Sequence, residues 1–162
     1  MNMDFTHEAW WDFLDPPQRE LLRQSFLLLG FARKNQDKLH DYSFVVMPAA
    51  KAYEGYLKKW LFTLRFIDEE AYKKDSFRLG KALNPELENR YPEDCLYNEI
   101  TRATSPGLAD ELWQTWKKGR NRLLHYFPGE QQIFSLDECE ERLDMIVLAV
   151  RNSFKAGKIN NR

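Results

Sequence analysis

The sequence predicts an all-α domain: apolar residues recur at helical spacing in several long stretches, no stretch holds a period of two, and helix start and stop signals bracket the periodic runs. Its 162 residues suffice for one hydrophobic core and do not require a second domain, so residues 1–162 read as a single unit. Apolar residues make up 43% and aromatics 14%, so burial can offset the entropy of ordering the chain, and intrinsic disorder is disfavoured. The 24 Lys and Arg balance 25 Asp and Glu at a net charge of -1, which argues against a protein that coats nucleic acid by bulk charge. Any such contact must be local.

Thr6 to Leu14, with Trp10 and Trp11, reads as a short lid helix within residues 1–15, stopped by Asp15-Pro16-Pro17, where the second proline can take a first helical position. From there to about Asn35, Leu21, Leu22, Phe26, Leu28, Leu29 and Phe31 give an amphipathic helix. A second long helix runs from near Asp41 to about Arg65, and Pro48 should bend or interrupt its first part. Residues 68–104 carry Asn84-Pro85 and Tyr91-Pro92 between short apolar clusters, which predicts an irregular insertion of short helices and loops. Ser105-Pro106 starts a third long helix that ends at Phe127-Pro128-Gly129. The last starts at Ser135, where Glu138 completes a capping box, and buries Leu136, Cys139, Leu143, Ile146, Val150 and Phe154 before Gly157. It should pack on the third. Gln131–Phe134 is strand-like but too short to found a sheet. The expected architecture is an up-and-down helical bundle of about four or five main helices.

Cys95 and Cys139 lack metal-ligand spacing and read as reduced, partly buried thiols. No metal or cofactor is implied. The start, Met1 to Phe5, has neither the basic residues nor the apolar run of a signal peptide, and no stretch of about 18 apolar residues is present, so a cytoplasmic protein without membrane contact is expected.

Function is suggested by Gly119-Arg120-Asn121-Arg122-Leu123-Leu124-His125. At about 100° per residue Leu112, Trp116, Arg120 and Leu123 share one face, so a guanidinium stands where packing would ask for an aliphatic group. That is costly without a partner anion. His125 lies roughly 140° around an ideal helix from Arg120, so a bend or a second subunit must bring the two together. Asn121, four residues before His125, could hold one imidazole nitrogen and fix the tautomer. His7 and His40 read as capping or exposed side chains. On the second helix Met47, Ala50, Glu54, Leu57 and Leu61 share a stripe, with Lys51 one turn before Glu54. Glu54 could pair with Lys51, or reach across to Arg120 or His125. Lys117, Lys118 and Arg122, with Tyr126 beside His125, make a basic turn that could hold an RNA backbone, although such a turn is usually a solvated face.

Arg120-Asn121-x-x-x-His125 near the end of the penultimate long helix of an all-α chain resembles the signature of the HEPN superfamily, an Arg, usually a polar residue next, and a His after a short spacer. The stretch Met47 to Leu57 looks like the corresponding helix of the RNase LS toxins, and the resemblance covers approximately residues 40–156. It implies a metal-independent endoribonuclease, acting as a homodimer with a composite active site, in a toxin-antitoxin or phage-defence setting. A ribose 2'-hydroxyl would attack the adjacent phosphorus, leaving a 2',3'-cyclic phosphate and a 5'-hydroxyl. His125 would move protons, Arg120 would stabilise phosphoryl charge, Asn121 would orient, and Glu54 and Lys51 would complete the pocket. Phe127 stands where HEPN toxins silenced by nucleotide transfer often carry Tyr, which favours a protein antitoxin that acts by binding. Two other expectations stand beside this one: a noncatalytic helical dimer that binds RNA or a partner protein, and an Arg120–Glu54 pair that only fixes helix register.

Overall fold

A computed structural model describes residues 4–91, 95–129 and 133–158, and every regular element among them is helical. A 3-10 turn at Asp4–His7 leads into α1 (Ala9–Phe13), α2 (Pro16–Arg33) and α3 (Ser43–Thr63). The insertion carries α4 (Glu69–Lys73), α5 (Leu79–Ala82), a 3-10 turn at Pro85–Leu87 and α6 (Tyr97–Ala103). Then come α7 (Pro106–Trp116), a π-helical turn at Lys117–Asn121, α8 (Arg122–Leu124) and α9 (Leu136–Ala156). The bundle consists of α2, α3, α9 and the run from α7 to α8. Helix α3 packs on α2 and α9, and α9 also packs on α7.

Local chemistry sets the helix ends. Pro16 and Pro17 occupy the first two positions of α2 behind an Asp15–Gln18 capping box, so it is the first proline, not the second, that opens the helix. The predicted Ser135–Glu138 box starts α9, and its whole predicted stripe is buried. Gly157 closes α9 with φ -69, so no left-handed cap is needed there; its value is space, since a Cβ would sit 3.0 Å from Trp60 Nε1. Of the strand-like segment, Gln131 and Gln132 lie outside the described residues, and Ile133 and Phe134 are irregular.

Pro48 lies inside an α3 that continues through it. The ring denies the helix one donor and disturbs the ladder around it. The neighbouring Ala49 N–H donates instead to Ser25 Oγ of α2 at 2.9 Å, in a buried contact. A small hydroxyl in the apolar face of α2 therefore satisfies the backbone freed by a proline in α3. The rest of that helix presents polar tips to its neighbours. Tyr53 Oη donates to the Leu112 carbonyl at 3.2 Å, Tyr56 Oη to Val150 O at 3.1 Å, and Trp60 Nε1 to Ser153 O at 2.9 Å. Burial pushes both tyrosines up, which keeps them protonated as donors. These bonds tie α3 to α7 and α9.

Two apolar assignments differ from expectation. Phe31 is 55% exposed and Met47 49% exposed. Helix α2 buries Leu22, Ser25, Phe26, Leu29 and Ala32, so Phe31 falls on the outer face with Leu27. Both cysteines are free and buried, and desolvation pushes Cys139 up to about 12, which leaves an inert thiol. No helix among the described residues is long and apolar enough to cross a membrane.

Glu8 fastens the N-terminal turn to α9 through Arg151, with bonds of 2.8 and 2.5 Å. The Arg151 guanidinium holds the Glu8 carboxyl below its ordinary range. A depressed carboxylate stabilises the fold fully above its unfolded pKa and loses that contribution as pH falls through the folded value. Denaturant titrations across an acid series should therefore show Glu8→Gln costing stability at neutral pH and nothing in strong acid; an equal cost at every pH would contradict the pair. Ser25→Ala should lower stability by about 1–3 kcal/mol in urea, because the Ala49 N–H is left buried without a partner.

Candidate active site

Helix geometry decides whether Arg120 and His125 can meet. Residues five apart diverge on an α-helix, but a π turn hydrogen-bonds across five residues and rotates less per residue. Here the Arg122 N–H donates to the Lys117 carbonyl, five positions back. His125 then follows the last residue of α8 in an extended conformation, φ -117 and ψ 142. The outcome is a separation of 3.5 Å between Arg120 Nη1 and His125 Nε2, within one chain. A bend closes the gap, and a second subunit is not needed for it.

Arg120 is held from two other sides. Its Nη2 donates to Glu54 Oε2 at 3.2 Å, and its guanidinium carbon lies 4.9 Å from the centroid of the Trp116 ring, on which the cation rests. The two charged side chains are 25% and 33% exposed, so the pair borders solvent and escapes the full desolvation cost of a buried ion pair. Arg120 Nε is buried without a hydrogen-bond partner. A guanidinium cannot accept a hydrogen bond, so any bond between Nη1 and the imidazole requires Nε2 as acceptor and places the ring proton on Nδ1. His125 itself is exposed and sits edge-on to Phe127, with ring centroids 6.1 Å apart.

These three groups open onto a cleft of 760 Å³ whose walls also include Asp75, Arg78, Gly80, Lys81, Asn84, Tyr91, Trp113 and Asn121. The insertion thus forms one wall. Its approach is set by Gly80, where an added Cβ would stand 2.7 Å from Trp116 Nε1. Trp116 therefore carries Arg120 on its face and α5 at its edge.

The sequence-derived candidates separate into two sets. Arg120, His125, Glu54 and Asn121 share the cleft. Lys51 does not: it is exposed on α3, and the Glu54 carboxylate turns to Arg120 rather than to it. Asn121 lines the cleft without bonding His125, which leaves the helix in an extended conformation after Leu124, so the spacing of helical neighbours does not apply to the pair. Lys118 and Arg122 line a separate depression with Phe134, Glu138, Glu141 and Arg142. Lys117 lies over the Trp113 ring at 6.0 Å, and Tyr126 projects outward, 77% exposed. The basic turn is thus split between faces. Arg78, Lys81 and Tyr91 were missed from the sequence, since nothing in linear spacing pairs the insertion with a motif some forty residues on; the three-residue step from Arg78 to Lys81 was the only local signal. No group of three or more His, Cys, Asp or Glu among the described residues is placed to hold a metal ion.

Gly80→Ala should push α5 off the indole, seen as a changed Trp116 emission, with the helical content kept. An unaltered indole signal would mean that the close approach is not what sets this wall. No protein-family model, no curated protein and no solved structure matches this chain.

Proposed function

We propose that the protein is an endoribonuclease of HEPN type, cleaving RNA by attack of a ribose 2'-hydroxyl on the adjacent phosphorus. The observation that carries this reading is the 3.5 Å approach of Arg120 Nη1 to His125 Nε2 in an open cleft. Packing supplies no reason for it, because His125 is exposed and lies beyond the last helical residue.

The chemistry asks for three things. A base must take the 2'-hydroxyl proton, and an imidazole with Nε2 unprotonated can do so. Negative charge grows on the phosphoryl oxygens as the new O–P bond forms, and the guanidinium held by Glu54 and Trp116 stands ready to receive it without rearranging. The 5'-oxygen leaves as the P–O bond breaks and takes up a proton, ending as a hydroxyl beside a 2',3'-cyclic phosphate. His125, once protonated, is a candidate donor for that proton. No step in this sequence calls for a metal. By the same resemblance the enzyme would act as a homodimer and as the toxin of a toxin-antitoxin or phage-defence system, checked by a binding-type protein antitoxin in the cytoplasm.

One observation favours a second reading. The Arg120–Glu54 pair joins the π turn to α3, which would also suit a purely structural tie, or a noncatalytic dimer that binds RNA or a protein. Purified protein incubated with RNA and chelator distinguishes these. Cleavage should yield cyclic phosphate ends and should fall by about 100-fold or more in His125→Ala, the scale expected on losing a general base. His125→Ala should keep the wild-type melting temperature, whereas Arg120→Ala should lose both activity and stability. Intact RNA with wild-type protein, or undiminished cleavage by His125→Ala, would refute the nuclease.

A further inference from the structure

The cleft holds two polar side chains that the proposed chemistry leaves unused, one from the insertion and one from the π turn. Asp75 lies in the turn between α4 and α5, is exposed, and makes no ion pair or hydrogen bond among the described residues. Asn121 directly follows Arg120, is half-buried, and its carboxamide likewise has no hydrogen bond among the described residues. Because His125 leaves the helix after Leu124, the imidazole does not take up that amide. By contrast, Glu54 accepts from Arg120, and Asn84 Oδ1 accepts from the Glu86 N–H at 3.0 Å. A carboxylate beside the path of a phosphate backbone opposes binding by like charge. It can only accept hydrogen bonds, so Asp75 offsets that opposition only where the ligand turns N–H or O–H donors toward it.

We propose that Asp75 and Asn121 select guanine in a nucleotide flanking the scissile phosphate: the Asp75 carboxylate accepts from N1–H and the 2-amino group, and the Asn121 amide donates to O6. This rests on the reading of the cleft as an RNA-cleaving site. Single-stranded RNA is read on the exposed edges of its bases. Among the four, guanine alone sets two donors side by side on its pairing edge. Adenine and cytosine place a donor next to an acceptor there, and uracil places one donor between two acceptors. A group that can only accept is therefore matched twice by guanine and once by each other base, whose neighbouring acceptor is then held against negative charge. Hydrogen bonds to an ionised acceptor are also stronger than neutral ones, which widens the difference. Asn121 completes the edge, since a carboxamide carries the donors that O6 requires. Its position beside Arg120 on the π turn is what assigns the selected base to a nucleotide next to the scissile phosphate.

The test is binding to short fluorescent single-stranded oligoribonucleotides made uncleavable by 2'-fluoro substitution, measured by anisotropy. Each carries one guanine, adenine, cytosine or hypoxanthine in a uracil background, with an all-uracil strand as reference. The wild type should bind the guanine strand about tenfold or more tightly than the adenine, cytosine and uracil strands, the scale of one bidentate base contact. Hypoxanthine keeps N1–H and O6 but lacks the 2-amino group, and should fall between. Asp75→Asn should abolish the advantage of guanine over hypoxanthine, and Asn121→Ala should lower the guanine preference by about threefold, as expected for one neutral hydrogen bond. Both are checked for native circular dichroism; Asp75→Asn, at an exposed position with no bond to lose, carries the test alone should Asn121→Ala disturb the fold. A carboxylate acting only by charge would let Asp75→Asn tighten every strand alike and leave their ranking unchanged, which would overturn the proposal. So would a wild type indifferent to the base, equal binding of guanine and hypoxanthine, or no measurable binding of any strand. The nuclease reading fails separately: guanine-selective, Asp75-dependent binding by a wild type that leaves unmodified RNA intact keeps the base site and removes the chemistry, whereas cleavage without regard to guanine does the reverse.

Discussion

The arrangement of this protein depends on a change of helical phase at Lys117–Asn121. An α-helix carried straight through that stretch would send Arg120 and His125 in directions about 140° apart. The π turn hydrogen-bonds across five residues and rotates less per residue, which narrows the angle between side chains five apart. Gly119 lies within the turn, and glycine is among the poorest α-helix formers, which lowers what the α-helical alternative would gain. Once the phase is shifted, Arg120 lands on the face of Trp116 and within reach of Glu54, while the extended backbone at His125 turns the ring back toward the guanidinium.

Around that turn the bundle supplies rigidity. Helix α3 is the common partner: it presents Glu54 to the cleft on one side and sends the hydroxyls of Tyr53 and Tyr56 and the indole of Trp60 to backbone carbonyls of α7 and α9 on another. Its own weak point, Pro48, is mended by Ser25 of α2. A carboxylate carried on so heavily tied a helix holds its place, which is what a guanidinium at the border of solvent needs if it is to meet an anion without first reorganising. The ion pair alone would suit a structural tie equally well. The exposed imidazole beside it is the feature on which the proposed nuclease reading rests.

Much of the architecture was legible because local rules act locally. The Ser135–Glu138 box, the buried stripe of α9, the start at Ser105-Pro106 and the continuation of apolar spacing beyond Pro48 all follow from capping and periodicity. The Arg120–Glu54 pairing was legible as a charge set into each of two apolar lines. The π turn was not, because reading positions at a fixed angle per residue assumes the very hydrogen-bond pattern that changes there. Treating residues 105–127 as one uniform helix accounts for two errors: it overstated the gap between Arg120 and His125, and it kept His125 in helical register with Asn121, whereas the chain leaves the helix after Leu124. The splitting of the basic turn was hidden for a related reason, since adjacent cations point to different sides of a helix. The wall of Arg78, Lys81 and Tyr91 is a tertiary product of an aperiodic segment, and only its contact with Trp116 reveals it.

The claim at the centre is that the widened turn aims His125 Nε2 at the Arg120 guanidinium, and imidazole nitrogen NMR reads this most directly. Long-range proton–nitrogen correlation on labelled protein, with the His125 signals identified by their loss in His125→Gln and the spectrum taken where the ring is neutral, reports which nitrogen carries the proton. The account predicts protonation at Nδ1 with Nε2 bare, and a shift of that preference in Arg120→Gln. A neutral ring protonated at Nε2 and indifferent to Arg120→Gln would contradict it.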